Sequence, residues 1–535
     1  MSCLRLRLRL RLPVALASCV FAASGALAGE WPQWGFDATR NMVSSEKGLP
    51  TKFEPGKPLP GSEEIDPKTS RGVRWVAKLG SETYGNPVVA GGRVFVGTNN
   101  ESPRDPKIKG DRGVLLALDE ATGKLLWQLV VPKLGTGKVN DWEFLGITAS
   151  PTVDGDRLYV VTNRGEVLAL DVAGMANGND GPFKDEAQYE AGPGQPPVAI
   201  GDKTADIVWR YDMREELGVF PHNATSSSVL VIGDRLYVTT SNGVDWGHLN
   251  IPSPKAPALV VLDKKTGALL GEESSGISSR VFHSNWSSPA AGVLTPKGAE
   301  KGKERSLVVF GAGDGFCYAF LPDPKDDAEG LSVLKEVWRY DGNPPQYRVL
   351  DGKPVKYATP KGPSEFIATP VIWKNRVYAA IGQDPEHGSG IGNLSAIDAD
   401  GHAIWTFADI GRSISTVALS DGLLFTADFD GRVYCLDAET GKLLWKHDLK
   451  SHIWGSPLVA DGKMYIGSED GFLTVFAARK EKKLLSAIDL HAPVYASAVV
   501  AGRTLFIGTQ THLYAVGPAA PPASAKSGAS KASAK

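Results

Sequence analysis

The stretch LDAETGKLLWKHDL, Leu436–Leu449, is the one on which the fold turns. It reads as a β-hairpin, two apolar arms around a tight turn from Asp437 to Gly441. In such a turn Gly supplies positive φ, while Asp and Thr bond the local backbone. Nearly the same words stand at Leu118–Trp127 (LDEATGKLLW) and at Leu262–Gly271 (LDKKTGALLG). One copy is a turn. Three copies, hundreds of residues apart, imply an architectural repeat.

A second phrase precedes the turn: a small-residue start, a short turn, then an aromatic strand. It begins at Asn86 (NPVVAGGRVFVGT), Ser150 (SPTVDGDRLYVVT), Ser227 (SSVLVIGDRLYVTT) and Thr369 (TPVIWKNRVYAAIG). Further copies begin at Ser415, Ser456 and Ser497, and a stretched one runs from Ser288 through SLVVFGAGDG at Ser306. These eight copies fill the chain from about Gly80 to Val516. One unit reads as inner strand, turn, second strand, top loop, third strand, Asp-x-x-Thr-Gly turn and outer strand. Four short antiparallel strands in roughly 40–70 residues is the pattern of a propeller blade. A β-helix needs shorter repeats without hairpins, and stacked sandwiches need repeats nearer ~100 residues. The expectation is an all-β fold, an eight-bladed β-propeller of four-stranded antiparallel blades.

Unit eight ends at Val516 without an outer strand, whereas Val73–Leu79 stands as an orphan strand ahead of unit one. Pairing the two closes the ring and removes both open sheet edges. The outer strands carry Trp75, Trp127, Trp209, Trp338, Trp405 and Trp445, with Gly271 and Ser486 in that slot in blades three and seven. A position shared by six blades is expected to pack blade against blade.

Residues 1–28 look like an export signal. Four arginines precede an apolar run, and Ala26-Leu27-Ala28 offers a cleavage site before Gly29. The rival reading is a lipoprotein box, Leu16 to Cys19, with Cys19 acylated. The protein is accordingly expected outside the cytoplasm, periplasmic or extracellular, with no transmembrane segment. Residues 29–72 form a Pro- and Gly-rich arm, 73–516 the propeller, and 517–535 a low-complexity Ala/Ser/Lys tail expected to be disordered. A formal net charge of −2 gives no case for nucleic acid. Cys317 and Cys435, the two cysteines beyond the signal, sit in apolar strand-like runs and read as buried thiols, a disulfide between them being the alternative. A monomer is expected.

Blades of the form ALDxxTGxxxW resemble the pyrroloquinoline-quinone (PQQ) repeat, shared by quinoprotein alcohol dehydrogenases and by outer-membrane assembly propellers that have no cofactor. WPQWG, ELGVFPHN, NIPSPKAP, WSSPA and GQDPEHG are similar to secreted bacterial PQQ-binding-like propellers. The dehydrogenase side of the resemblance implies PQQ with calcium. Those enzymes carry an adjacent Cys-Cys ring and a Glu, an Asn and an Asp around the ion. This chain has no Cys-Cys pair, and none of the three ligands is matched residue by residue. The expectation is therefore a ligand-binding or protein-interaction scaffold without catalysis of its own and without a confidently assigned cofactor. A PQQ- and calcium-dependent oxidoreductase is the alternative.

The loops between second and third strands share one face with the crossings between blades. Three of them are enlarged, at Asn99–Asp111, Asn242–Pro257 and Gly382–Gly392, and enlarged loops on a rigid ring are where recognition resides. Seven of the nine histidines fall on this face. The candidate site there comprises His222, Asn223, Asp245, His248, His283, Asn285, Trp286, Gln383, Asp384, Glu386, His387 and Trp454, facing a small ligand or a protein partner. Asp245, His248, Asp384, Glu386 and His387 are expected to project together toward the funnel, with the carboxylates raising the imidazole pKa. No catalytic motif occurs, and no spacing is diagnostic of metal ligands.

Overall fold

In the computed structural model the described residues are 29–518, apart from 301 and 356. The export signal, the Cys19 lipoprotein box and the tail beyond 518 lie outside them. Eight sheets follow one another along the chain. Blade one shows the plan, with strands Val88–Ala90, Arg93–Asn99, Arg112–Asp119 and Leu125–Pro132 paired in sequence order. Blade eight takes its outer strand from the N-terminal side: Val73–Lys78 runs antiparallel to His512–Val516, with Trp75 opposite Ala515. The ring is closed as the orphan strand requires, and no blade edge is left open at the seam.

The recurring turn has a packing reason. In Asp119, Asp263 and Asp437 one carboxylate oxygen accepts from both the backbone amide and the hydroxyl of the Thr three residues on, at 2.6–3.0 Å. Gly123, Gly267 and Gly441 follow at φ of about +70°. A Cβ on any of them would stand 2.5–2.6 Å from the ring of Trp75, Trp209 or Trp405 in the preceding blade. Gly174 and Gly401 lie against Trp127 and Trp338 in the same way. Each of the six indole N–H groups donates to a carbonyl of the next blade's turn: those of Glu120, Val172, Lys264, Ala399, Ala438 and Arg479. The glycine is thus demanded twice, by the turn and by the close approach. Opposite each Trp on the third strand stands Ala or Cys, and a β-bulge follows at that point in all eight blades. A small partner and a local kink make room for the indole.

Blades three and seven fill the missing Trp differently, and here the four-strand plan is exceeded. The turn of blade four lengthens into a segment whose strand Ser332–Leu334 adds in parallel to the outer edge of blade three. Its Pro324 closes on Gly271, where a Cβ would be 2.5 Å away. Beside blade seven the N-terminal arm takes over, with the Ser486 hydroxyl donating to the Thr51 carbonyl at 2.5 Å.

The start of that arm is a floor. Backbone or side-chain bonds join it to the inner strands of successive blades: Trp31 to Val89, Pro32 to Val153, Ala38 to Ala291, Thr39 to Ile372, Asn41 to Leu419 and Met42 to Val459. Arg40, 0% exposed, donates to the carbonyls of Pro289, Ser228, Val229 and Trp34. The arm therefore seals one end of the central channel. Cys317 and Cys435 are free thiols buried in blades four and six. No helix among the described residues is long and apolar enough to cross a membrane.

Candidate functional site

Above the floor lies a cavity of about 480 Å³, with Trp34 at its base. Its wall is built in tiers by the repeat itself. The small residue opening each inner strand forms the lower tier, and these residues bond around the ring. Amides of Asn86, Ser228, Thr369, Thr416, Ser456 and Ser497 are each capped by the side chain of the next blade's counterpart, at 2.6–3.2 Å. A small polar residue is needed there because the amide at the head of the inner strand has no strand partner in its own sheet.

Two residues earlier in each unit comes the upper tier. Tyr84, Trp286, Trp454 and Tyr495 occupy it in blades one, four, seven and eight, and Thr148, Ser226, Ile367 and Ile414 in the others. Tyr84 and Tyr495 stack at 4.8 Å, and Trp454 meets them at 5.6 and 5.0 Å. Three contiguous blades thus present one aromatic wall; Trp142 also lines the cavity, and Trp286 lines it from blade four. Four carboxylates line the cavity, Glu82, Glu143, Asp384 and Glu386, and no lysine or arginine does. Burial raises the pKa of Glu82, against bonds from Gln510 and Tyr84. Burial likewise pushes Asp384 up to about 6.

Behind the wall, on the side of blades three to five, four imidazoles converge. Ring centroids of His283 lie 4.3, 4.7 and 5.0 Å from those of His222, His248 and His387. Nδ1 of His222 sits 2.7 Å from the Val244 carbonyl, which can only accept, so that nitrogen carries the proton. Nε2 of His222 is thereby left as a lone pair, 3.2 Å from Nε2 of His248. Nε2 of His283 lies 4.0 Å from the Asp384 carboxylate, and Asp384 also accepts from Asn223 at 3.5 Å. The Tyr357 hydroxyl stands between His283 and His387, at 3.3 and 2.8 Å. Asn223 and His248 are both held at left-handed φ, +59° and +54°, a conformation non-glycine residues adopt only when their surroundings impose it. Arg412 donates to the His387 and Gly388 carbonyls at 3.3 Å each and so sets the loop that carries His387.

The expected set divides on this geometry. His222, His248, His283, Gln383, Asp384 and His387 come together, Gln383 reaching His283 at 3.4 Å. Asn223, Trp286, Glu386 and Trp454 line the cavity. Asp245 does not join them: its carboxylate accepts from Leu249 and Asn250 and closes its own loop. Asn285 is buried and ties Asn242 to Gly313. The expected rise in imidazole pKa is reversed. His387 and His248 are lowered by burial, helped by Arg412 on the first and by His387 on the second, while the carboxylates oppose. His222 falls to about 4, again through burial first. Desolvation of a positive charge outweighs the attraction of the neighbouring carboxylates.

Tyr84, Trp142, Tyr495, Glu82, Tyr357 and Glu365 were not anticipated. Glu365 is fully buried and accepts from the Ser284 amide at 3.2 Å, and burial pushes its pKa well above the usual carboxylate range. A signal existed for Tyr84 and Tyr495: each stands two residues before the small opening residue, in register with Trp286 and Trp454.

A family model described as outer membrane protein assembly factor BamB matches residues 65–173 and 390–520. The dehydrogenase subunit of a quinone alcohol dehydrogenase from Gluconobacter oxydans is 27% identical over 192 residues, 30% of this chain and 22% of that protein. The outer membrane protein assembly factor BamB of Burkholderia pseudomallei is 29% identical over 160 residues, 29% of this chain and 39% of that protein. The chain thus spans well under half the length of either relative. Among solved structures, a europium-containing methanol dehydrogenase superposes with a TM-score of 0.55 at 13% identity, covering 90% of this chain and 89% of that one. A quinohemoprotein alcohol dehydrogenase from Pseudomonas putida gives 0.52 at 13% identity, covering 92% and 81%. Over these segments the chain is similar to both a quinone alcohol dehydrogenase and an outer membrane assembly factor, and its fold is that of an eight-bladed β-propeller.

Proposed function

We propose that this chain is an exported binding propeller that takes a small organic cation into its central cavity, without catalysis of its own. The observation that carries the reading is the make-up of the wall: aromatic faces on several blades, four carboxylates and no basic side chain. A cation over an aromatic face gains roughly 0.5–2 kcal/mol, most where water is excluded. Burial disfavours the charged forms of Glu82 and Asp384, and a cation bound between them would stabilise those forms. Export is supported by the N-terminal signal pattern and by kinship to a protein named as an outer membrane protein assembly factor.

The quinone reading fits these residues poorly. PQQ is a flat tricarboxylate, and the wall meets it with carboxylates and no lysine or arginine. Neither thiol offers the disulfide ring of the dehydrogenases, since both are free and in different blades. Calorimetric titration of the mature chain with choline and with its uncharged carbon isostere tests the proposal. Choline should bind at least ~10-fold more tightly, a difference of about 1.4 kcal/mol, and Trp454→Ala should abolish the preference. Equal binding of the isostere, or tight binding of PQQ with calcium, would overturn it.

A further inference from the structure

We propose that His222, His248, His283, His387 and Asp384 form a binding site for a divalent transition-metal ion of the zinc type, set in the wall of the central cavity. Two overlapping ligand sets carry this. His222, His248 and His283 each offer a ring nitrogen within 4.8 Å of the others; His283 and His387 with a carboxylate oxygen of Asp384 form a second such group, His283 being common to both. Four ligands at zinc distances of about 2.0–2.1 Å stand roughly 3.4 Å apart in a tetrahedron. The 3.2 Å between His222 and His248 already matches that spacing, and 4.0 Å between His283 and Asp384 is within a small side-chain adjustment of it.

The ring nitrogens are also arranged as ligands. His222 is anchored through Nδ1 to the Val244 carbonyl, the outer-shell bond that fixes a metal-binding imidazole with its other nitrogen unprotonated. His283 is 0% exposed, and its Nε2 has no hydrogen-bond partner although it points toward Asp384. Nδ1 of His387 and the Gln383 carbonyl oxygen are likewise buried without partners. A purely structural polar network would be expected to satisfy these atoms, because each unpaired buried group costs free energy. Neutral imidazole is the form that binds metal.

The donor set chooses the ion. Nitrogen-rich sites favour zinc, cobalt, nickel and copper, whereas calcium and magnesium require oxygen. The ligands arrive from four separate segments: the crossing into blade three (His222), its top loop (His248), the crossing into blade four (His283) and the top loop of blade five (Asp384, His387). An ion would therefore lock three neighbouring blades at the funnel face. Asp384 also lines the cavity, which places the proposed ion at its wall. This inference does not rest on the aromatic wall, so either proposal can fail alone.

The test uses the mature chain, stripped with a chelator and titrated with zinc and cobalt(II). Binding of one ion per chain with Kd below ~1 μM is expected, with the intense visible absorption of four-coordinate cobalt and a raised melting temperature. His283→Gln should abolish binding. His283 is buried and its replacement also perturbs the core, so His248→Gln and His387→Gln on the two loops carry the decision. Each should keep its circular dichroism spectrum and weaken binding at least tenfold. Absence of stoichiometric binding to the parent chain would overturn the proposal. So would parental affinity in both loop variants, or magnesium and calcium competing equally with zinc. Choline titration of the chelator-treated chain separates this outcome from that of the cavity.

Discussion

Two tryptophans nine positions apart should behave in opposite ways when cut to alanine. Trp445 occupies the blade-to-blade slot: it is 7% exposed, packs on Phe425 and Phe476 at 6.1 and 5.4 Å, and donates to the Arg479 carbonyl at 3.1 Å. Burying an indole removes about 150–250 Å² from water, worth roughly 4–6 kcal/mol at ~25 cal/mol/Å², of which the retained Cβ keeps a part. Losing the ring should cost ~3–5 kcal/mol. Stranding the Arg479 carbonyl should add about 1 kcal/mol. Trp454 lies in the upper tier of the cavity, half-buried, with its N–H 3.4 Å from Glu469. Its truncation widens a wall already open to the funnel and should cost under about 1.5 kcal/mol. Urea unfolding followed by far-ultraviolet circular dichroism reads the difference. The Trp445→Ala midpoint should fall sharply, with choline binding by the folded protein unchanged; Trp454→Ala should keep its midpoint and lose the ligand. Equal destabilisation by both, or loss of binding only in Trp445→Ala, would refute the division of the aromatic residues into inter-blade and cavity roles.

Deleting Val73–Lys78 while keeping blade eight should leave His512–Val516 as an unpaired edge, and size-exclusion chromatography should show aggregates instead of a single species. Glu190, buried in the short helix Glu186–Ala191 that packs on blade one, has its pKa raised by burial to about 8, although the Val130 amide donates to it. A carboxyl raised in the folded state contributes stability fully below its unfolded value and loses it as pH climbs through the folded one. Stability should thus decline between about pH 4.5 and 8, and Glu190→Gln should flatten that slope in melts taken across the range. Burial pushes the Cys435 thiol up to about 12. The native protein should therefore leave a thiol reagent at neutral pH unreacted until urea is added.

The ring was legible because propeller geometry imposes the same local demand eight times over. The small opening residue recurs in every blade, the Trp in six and the Asp-x-x-Thr-Gly turn in three, each answering the same blade-to-blade contact. Exceptions were legible as well. Gly271 and Ser486 broke the Trp pattern, and those two blades are where Pro324 and the arm residue Thr51 fill the gap. What fills it was not legible, since both segments come from elsewhere in the chain and repeat nothing.

The upper tier of the cavity sits between these cases. Trp454 and Trp286 were singled out, but Tyr84 and Tyr495 were passed over, though all four hold the same place before the opening residue. The histidines show the other limit. Their common face followed from strand order, yet their company did not. His452 stacks flat on Phe429 at 4.4 Å, and His491 lies 3.1 Å from the Gly56 carbonyl of the arm. Neither joins the three that converge on His283.

Sequence by itself therefore determined the eight blades, the strand that closes them and the slot of the inter-blade tryptophans, because each is a short-range rule written repeatedly. Only the tertiary structure decided the site. His222, His248, His283, Tyr357, Asp384 and His387 reach one another from non-repeating loops spread over 166 positions. Whether such loops converge depends on how far each bends over the funnel. Burial then settled the sign of the histidine shifts: proximity to carboxylates is visible in the order of residues, but the exclusion of water that outweighs it appears only once the chain has closed into a ring.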